Sequence, residues 1–232
     1  MMNHGYDRRS LAQCIQYTNV RPETTRAEII AHLEQTQEYG FQAAMISMCW
    51  VPLARTVLRN SGVRIATCIS LGLGHESVFG KEMLIRECRA LGADEVDYQP
   101  NMGFFLSGML DEFADEAARL VRAAEGMPIK AMLELGMIAD DQQRRLAARL
   151  LDEAGVPWVK NSSGVGASSE PASPENIRLL RESVGPHCRV KASGKVNSYA
   201  KAVALLEAGA ELLGSSAGPA IVDQMTDVQT DY

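Results

Sequence analysis

The sequence predicts an α/β protein built as a single (β/α)8 TIM barrel. Two observations predict it. Short apolar runs alternate with segments of helical period from end to end, eight times in 232 residues. That is close to the ~30 residues of a βαβ step and to the ~250 typical of a closed eight-stranded barrel. One phrase also recurs: a helix end, a glycine and a short hop into the next strand. It reads Tyr39-Gly40-Phe41, Leu91-Gly92-Ala93, Ala154-Gly155-Val156 and Ala208-Gly209-Ala210. Glycine there suits the position after a helix, where φ > 0 is wanted. A third observation says where the chemistry lies, because two of the apolar runs end in lysine.

Taken in order, strands are expected over 12–17, 43–47, 64–69, 95–98, 129–133, 158–160, 189–192 and 212–214. Between them lie helical patterns. Residues 26–39 place Ile29, Ile30, Leu33 and Tyr39 on one broad stripe, and 140–154 group Leu146, Leu150 and Leu151 with arginines on the opposite face. An open, doubly wound sheet is the main rival. It would usually carry a Gly-rich dinucleotide loop after the first strand, and Tyr17-Thr18-Asn19-Val20-Arg21-Pro22 is not one. No linker, low-complexity tract or composition shift divides the chain, so one domain is expected over 1–232. It would have a short N-terminal extension (1–10) and a C-terminal tail (224–232) that can move.

The bulk properties exclude several classes. A net charge of −6 and a pI near 5.3 argue against a broad nucleic-acid surface. No apolar run reaches the ~18–20 residues that span a bilayer, and residues 1–10 lack the apolar core of a secretory signal. Cys14, Cys49, Cys68, Cys88 and Cys188 are scattered, odd in number and without a C-x-x-C pair. That suits reduced thiols packed in a cytoplasmic protein. Cys49, beside Trp50, is read as a packed thiol, with a reactive one as the sharper alternative.

The two lysines carry the chemistry. Lys160 stands in Trp158-Val159-Lys160-Asn161-Ser162-Ser163-Gly164, and Lys191 in Arg189-Val190-Lys191-Ala192-Ser193-Gly194. An ammonium is costly inside a packed sheet, so a strand lysine is edge-exposed, paired or functional. One cation near another lowers the amine pKa, and a neutral amine attacks a carbonyl to form a Schiff base. The plainer reading is two solvated strand ends. In a (β/α)8 barrel, however, active sites sit at the C-terminal ends of the strands, where both lysines fall. Adjacent strands are ~4.8 Å apart, so the amines can meet. Asp97 ends the fourth strand, Glu134 follows the fifth, and Lys130 lies within the fifth. A carboxylate and a second amine beside a nucleophilic lysine are what proton shuttling through a carbinolamine requires.

At these residues the chain resembles the deoxyribose-phosphate aldolase family of class I aldolases, along almost its whole length. Val159-Lys160 with Ser162-Ser163-Gly164 is similar to the family's Schiff-base segment V-K-T-S-T-G, and Val190-Lys191-Ala192-Ser193-Gly194 to V-K-A-S-G-G. Gly92-Ala93-Asp94-Glu95-Val96-Asp97 reproduces G-A-D-E-V-D. Asn101, Gly103, Ser107 and Gly108 fit N-x-G-x-x-x-S-G. Ile15, Thr18, Pro22 and Thr25 fit the opening I-D-H-T-x-x-x-P-x-x-T, and Ile129-Lys130 with Glu134 fit L-K-V-I-L-E.

The resemblance implies roles. Lys160 would form the Schiff base, and Asp97 with Lys191 would relay protons, Lys191 also helping to keep Lys160 neutral. The lysine would capture acetaldehyde, a proton would leave the methyl carbon, and the enamine would attack glyceraldehyde 3-phosphate. The product would be 2-deoxyribose 5-phosphate, in a reaction that the cell commonly runs backwards. The partners implied are therefore small aldehydes and sugar phosphates, and a homo-oligomer, a dimer, is expected because family members commonly pair. No cofactor is implied and no metal is expected, the iminium being the electron sink; His4, His32, His75 and His187 show no paired ligand spacing. Thr18, Gln16 and Lys130 are expected on the substrate side. Gly164, Ser193, Gly194, Ser215 and Ser216 are expected to hold phosphate on small-residue turns. For Gly214-Ser215-Ser216 a plain turn with a helix cap is an equal reading. Tyr232 is either a proton-transfer group on the tail or an incidental terminus.

The departures from the family pattern point one way. Gln16 replaces an acidic residue, Asn19 an apolar one, Leu71-Gly72 a Phe-Pro pair and Asn161 a threonine. Lys195 replaces the second glycine of the Gly-Gly pair. All are expected at the rim where the acceptor binds. Lys195 either salt-bridges an anionic substrate or points to solvent. If its position needs φ > 0, lysine there costs roughly 1 kcal/mol or more. The alternatives to a deoxyribose-phosphate aldolase are a Schiff-base lyase with another acceptor, an idle ligand-binding barrel, and a phosphate-binding isomerase, which would have no role for a lysine pair.

Overall fold

The structure, a computed structural model, describes residues 6–224. Eight parallel strands close into a barrel in chain order: β1 (Ile15–Asn19), β2 (Ala43–Ser47), β3 (Arg64–Ile69), β4 (Glu95–Tyr98), β5 (Ile129–Met132), β6 (Trp158–Lys160), β7 (Arg189–Ser193) and β8 (Leu212–Ser215). The β1–β8 pairing closes it, with Ile15 opposite Leu213. The helices are α1 (Arg8–Ala12), α2 (Arg26–Tyr39), α3 (Val51–Val57), α4 (Val78–Leu91), α5 (Met102–Leu106), α6 (Leu110–Ala124), α7 (Asp141–Glu153), α8 (Pro174–Ser183), α9 (Tyr199–Glu207) and α10 (Gly218–Val222). The expected (β/α)8 barrel is therefore the fold, and the tail from residue 225 on, Tyr232 included, lies outside the described residues.

Local chemistry sets the element ends. Thr25 and Glu28 form a reciprocal capping box that starts α2, and Gly40 ends it at φ 67°. Gly92, Gly155 and Gly209 likewise have positive φ. At Gly209 a Cβ would also come within 2.8 Å of the Arg181 side chain, so glycine is required twice over.

One boundary differs from expectation. The apolar run assigned to a first strand over 12–17 is split between two elements. Asp7 caps α1 by accepting from the Ser10 amide at 2.7 Å, and Leu11 and Ala12 are buried on that helix. The strand starts only at Ile15. Residues 8–10, assigned to an N-terminal extension, are the first turn of the same helix.

The strands alternate sides, and the two sides differ in kind. Ile46, Ile65, Val96, Tyr98, Ile129, Val159, Val190 and Leu213 join the apolar layer under the helices. The alternate residues fill the barrel. On the β2–β3 side these are Ala43, Met45 and Ala66, with Cys68 packed on them. Elsewhere, beside Met132, Trp158 and Leu212, the lining is polar: Gln16, Glu95, Asp97, Lys130, Lys160 and Lys191 are all buried. A barrel interior is ordinarily filled by Val, Ile and Leu.

Candidate active site

The register of the sheet assembles the site. Lys160 on β6 is the direct neighbour of Lys191 on β7, and Asp97 on β4 is the neighbour of Lys130 on β5. Across the barrel, Lys160 Nζ donates to Asp97 Oδ2 at 3.0 Å, and Lys191 Nζ donates to the same oxygen at 2.7 Å. Lys130 Nζ lies 3.7 Å from Asp97 Oδ1 and also pairs with Glu95. The other oxygen of Asp97, Oδ1, is buried and accepts no hydrogen bond among the described residues. One oxygen of this carboxylate is thus held by two amines, while the other faces Lys130 with its hydrogen-bonding capacity unspent.

The electrostatics follow from burial and charge. Burial and the neighbouring Lys160 and Lys130 push Lys191 down to about 7, although Asp97 pulls the other way. Burial alone would raise Asp97, but Lys191, Lys160 and Lys130 outweigh it and hold the carboxyl far below its ordinary range. Glu95 is treated similarly: burial opposes and Lys130 prevails, lowering it to about 2. The two carboxylates are thus charged at neutral pH. Lys191 is shifted towards its neutral form and shares one Asp97 oxygen with Lys160.

Lys160 and Asp97 line a narrow slot at the C-terminal mouth of the barrel, together with Thr18, Ser163, Gly164, Ser193, Gly194, Ser215 and Ser216. The slot opens into a wider cleft of about 690 Å3, with which it shares Val20, Leu71, Gly164 and Gly194. Lys195 and Arg21 border the wider cleft. Small residues keep the mouth open. Gly194 has φ 100°, and a Cβ on it would approach the Glu170 carbonyl to 3.0 Å. The next residue, Lys195, also has positive φ, 51°, so the lysine occupies a conformation that glycine adopts more easily.

Two residues expected on the substrate side are placed elsewhere. Gln16 is completely buried below Lys191, not at the rim. Its Nε2 donates to Gln42 Oε1 at 2.9 Å and to Glu95 Oε2 at 2.8 Å, and its Oε1 accepts from Lys191. Lys130 is equally buried, paired with Glu95 and lying 5.8 Å from the centre of the Trp158 ring. Neither lines the slot or the cleft, because β1 and β5 carry them one step deeper than the mouth. Asn161, another position expected at the rim, is buried too. It clamps β7 by donating to the Ser193 carbonyl at 2.9 Å and accepting from the Ser193 amide at 2.8 Å. Cys49 is the opposite case, an exposed thiol, since β2 ends at Ser47 and the chain turns outward.

The expected phosphate donors are partly spent inside the chain. The Gly164 amide donates to Ser162 Oγ at 3.2 Å and the Val165 amide to Ser163 Oγ at 3.0 Å. Ser215 Oγ donates to the Val196 carbonyl at 2.5 Å and accepts from the Ala217 amide at 2.9 Å. Ser215 closes β8, and the following helix begins only at Gly218, so Ser216 lies on the turn between them. Glu134 acts as a bracket: its carboxylate accepts from Ser162 Oγ at 2.7 Å and the Ser163 amide at 3.0 Å, fixing the turn after Lys160.

Glu95 and Gln42 were not singled out by sequence reasoning. The signal was present for Glu95: it stands two residues before Asp97 on one strand, and i, i+2 residues share a face. Gln42 had no such signal, because it precedes its strand and meets Glu95 only across the sheet, where its Nε2 donates to Oε1 at 2.9 Å. Among the described residues, no group of three or more His, Cys, Asp or Glu side chains is arranged to hold a metal ion.

Comparison with known proteins places these features in context. No family model matches the chain. Deoxyribose-phosphate aldolase 1 of Bacillus licheniformis is 35% identical, over 97% of this chain and 99% of its own. The deoxyribose-phosphate aldolase of Methanocella arvoryzae is 34% identical over 93% of this chain and 96% of its own. Among solved structures, a putative deoxyribose-phosphate aldolase from Coccidioides immitis superposes with a TM-score of 0.88 at 27% identity, over 94% of this chain and 86% of that one. A deoxyribose phosphate aldolase from Aeropyrum pernix, described as a unique tetramer, superposes with a TM-score of 0.85 at 25% identity, over 94% and 91%.

Proposed function

This chain belongs to the deoxyribose-phosphate aldolase family, and from that premise we propose how it works as a class I lyase: Lys160 is the Schiff-base nucleophile, and Asp97 with Lys191 forms its proton relay. One observation carries this reading, the two lysines sharing a single carboxylate oxygen at the mouth of the barrel. In the synthetic direction neutral Lys160 attacks the carbonyl carbon of acetaldehyde. The carbinolamine loses water to give an iminium, which draws electrons from the methyl carbon. Asp97 Oδ1, buried and accepting no hydrogen bond among the described residues, supports transfer of the methyl proton into the relay. The enamine attacks the aldehyde carbon of glyceraldehyde 3-phosphate, the relay returns a proton to the new alkoxide, and water releases 2-deoxyribose 5-phosphate from Lys160. Cleavage is the same sequence reversed. The iminium itself is the electron sink, so the scheme needs no cofactor.

The acceptor fits the mouth as found. Its phosphate would be held at Lys195, which borders the cleft, because several turn amides already bond to the chain's own serines. Thr18, Ser193 and Gly194 line the path from cleft to slot. Relatives of this similarity do not favour a different acceptor or an idle barrel. Five unpaired cysteines suit a reducing cytoplasm. Among the described residues no helix is long and apolar enough to cross a membrane. We also propose a homo-oligomer with a dimer as its unit. Phe79 and Met83, exposed one turn apart on α4, are apolar surface that a partner copy would cover.

The test is borohydride trapping with acetaldehyde, mapped by peptide mass spectrometry. Ethylation confined to Lys160, with cleavage of 2-deoxyribose 5-phosphate abolished in Lys160→Leu, is the expected result. Diffuse labelling of surface lysines would overturn the assignment.

A further inference from the structure

The two reactants meet very different limits of space. Lys160 and Asp97 stand in a slot of about 30 Å3, whereas the cleft it opens into measures about 690 Å3. A single water takes roughly 10–15 Å3, so the slot admits about two or three groups of that size. Acetaldehyde has three non-hydrogen atoms, and only its two carbons stay on Nζ once water has left the carbinolamine. An acceptor in the cleft meets no such limit. The narrowness of the slot needs a structural cause, and its lining supplies one.

The side formed by β7 and β8 is small and polar, with Ser193, Gly214 and Ser215. The side formed by β2 and β3 is apolar, with Met45 and Cys68, and the reaction scheme gives neither of them a part. Met45 is 4% exposed and packs with Ala43 and Ala66, and Cys68 rests on the same group. Ala43 and Ala66 are completely buried behind it, so this wall has nowhere to recede. Cys68 is also the direct neighbour of Asp97 across the β3–β4 pairing, which makes the wall continuous with the carboxylate. Burial, and then Asp97, push the Cys68 thiol up to about 12, so it stays protonated and packs as a small apolar group.

We propose that Met45 and Cys68 are specificity-determining residues that restrict the donor to a two-carbon aldehyde. The donor's second carbon must lie beside Asp97 to lose its proton, and Cys68 is the strand neighbour of Asp97. A third carbon attached there, as in propanal, meets the Met45–Cys68 wall. It then either clashes or draws the second carbon away from the carboxylate. The acceptor enters from the wide cleft, on which neither residue borders, so the restriction falls on the donor alone. The inference rests on the Schiff-base role of Lys160.

The test compares propanal with acetaldehyde as donor for addition to glyceraldehyde 3-phosphate, in the unmodified enzyme and in Met45→Ala and Cys68→Ala. In the unmodified enzyme kcat/KM should be roughly 10–200-fold lower with propanal, the range for one methylene that a closed apolar pocket discriminates. In each variant that ratio should narrow, by about tenfold in Met45→Ala, which removes most of a side chain. A merely structural role would lower both donors and leave the ratio where it was, and a ratio unmoved in both variants would overturn the proposal. Should the variants not fold, borohydride trapping of the unmodified enzyme decides. Labelling of Lys160 by each aldehyde is divided by labelling of Nα-acetyllysine in the same solution, which removes the difference in intrinsic reactivity. Acetaldehyde should then be favoured at least tenfold. If both aldehydes label Lys160 equally, only the donor restriction falls. If acetaldehyde does not label Lys160, the Schiff-base reading falls and takes this inference with it.

Discussion

In the proposed scheme the chemistry turns on Asp97, because one of its oxygens accepts from two amines and the other, near Lys130, accepts no hydrogen bond among the described residues. Replacing it with asparagine preserves shape and removes the charge. The Asp97→Asn amide must then present either its oxygen or its NH2 to the two lysines, and it can no longer carry a proton. We expect kcat to fall by roughly 10²–10⁴, the usual range for a positioned acid–base group. A Lys160 that still labels with acetaldehyde and borohydride, at a lower rate, would separate proton relay from nucleophile. Turnover within tenfold of the parent enzyme would exclude Asp97 from the relay.

At the scale of elements, the loops after the strands are held by side chains from neighbouring strands. Asn161 ties the end of β6 to Ser193 on β7, and Glu134 ties the β5 turn to Ser162 and Ser163. Lys81, buried on α4, donates to the Gly74 carbonyl at 2.6 Å and to the Gln99 carbonyl at 3.0 Å and pairs with Glu116, joining the loops after β3 and β4. Several non-glycine residues are held at positive φ, and Lys195, at φ 51°, is the one that borders the wider cleft. Lys195→Gly should therefore act with opposite signs on stability and binding. Stability should rise by about 0.5–1 kcal/mol, since glycine adopts this conformation without a Cβ clash. KM for the phosphorylated substrate should rise with kcat little changed, because the lost contact is equally made in the ground and transition states. Denaturant melts and steady-state kinetics check the two halves, and an unchanged KM would place Lys195 outside phosphate recognition.

For the molecule as a whole, acid tolerance should be limited by groups buried in a single protonation state. His32 on α2 is buried, stacked on Tyr17 with ring centroids 4.2 Å apart, and its Nε2 meets the Tyr17 carbonyl at 3.1 Å. Burial lowers its pKa to about 4 from 6.5. Between those values the unfolded chain binds the proton and the native one does not, so stability falls as pH drops from 6.5 towards 4. The loss should reach roughly 2–4 kcal/mol. Glu95, lowered to about 2, is lost next, over the interval from its ordinary 4.5 downwards. His32→Gln, which keeps a donor to Tyr17, should flatten the first interval and leave the second. Urea denaturation at pH 7 and pH 4.5 measures this, and equal pH sensitivity in both proteins would rule His32 out as the cause.

Much of this was legible in the chain itself. Periodicity marked seven strands within a residue or so, because short apolar runs between glycine-ended helices have few other solutions. The first was mistaken because Leu11 and Ala12 are apolar for the sake of a helix. Lys160, Lys191 and Asp97 could be singled out in advance because each is a charged residue in or at the end of a short apolar run, and the structure brings the three together. What only the tertiary structure decided was depth and company. Sequence spacing does not say which neighbour a barrel's stagger brings beside Gln16, and so it suggested a rim residue where there is a buried amide bonded to Lys191. Nor could it pair Gln42, just before β2, with Glu95 on β4 and Lys130 on β5, which meet only when the sheet closes. Local propensity and pattern act along the chain and determine elements. The charge balance of a buried site depends on contacts between residues far apart in sequence, and those exist only once the barrel is shut.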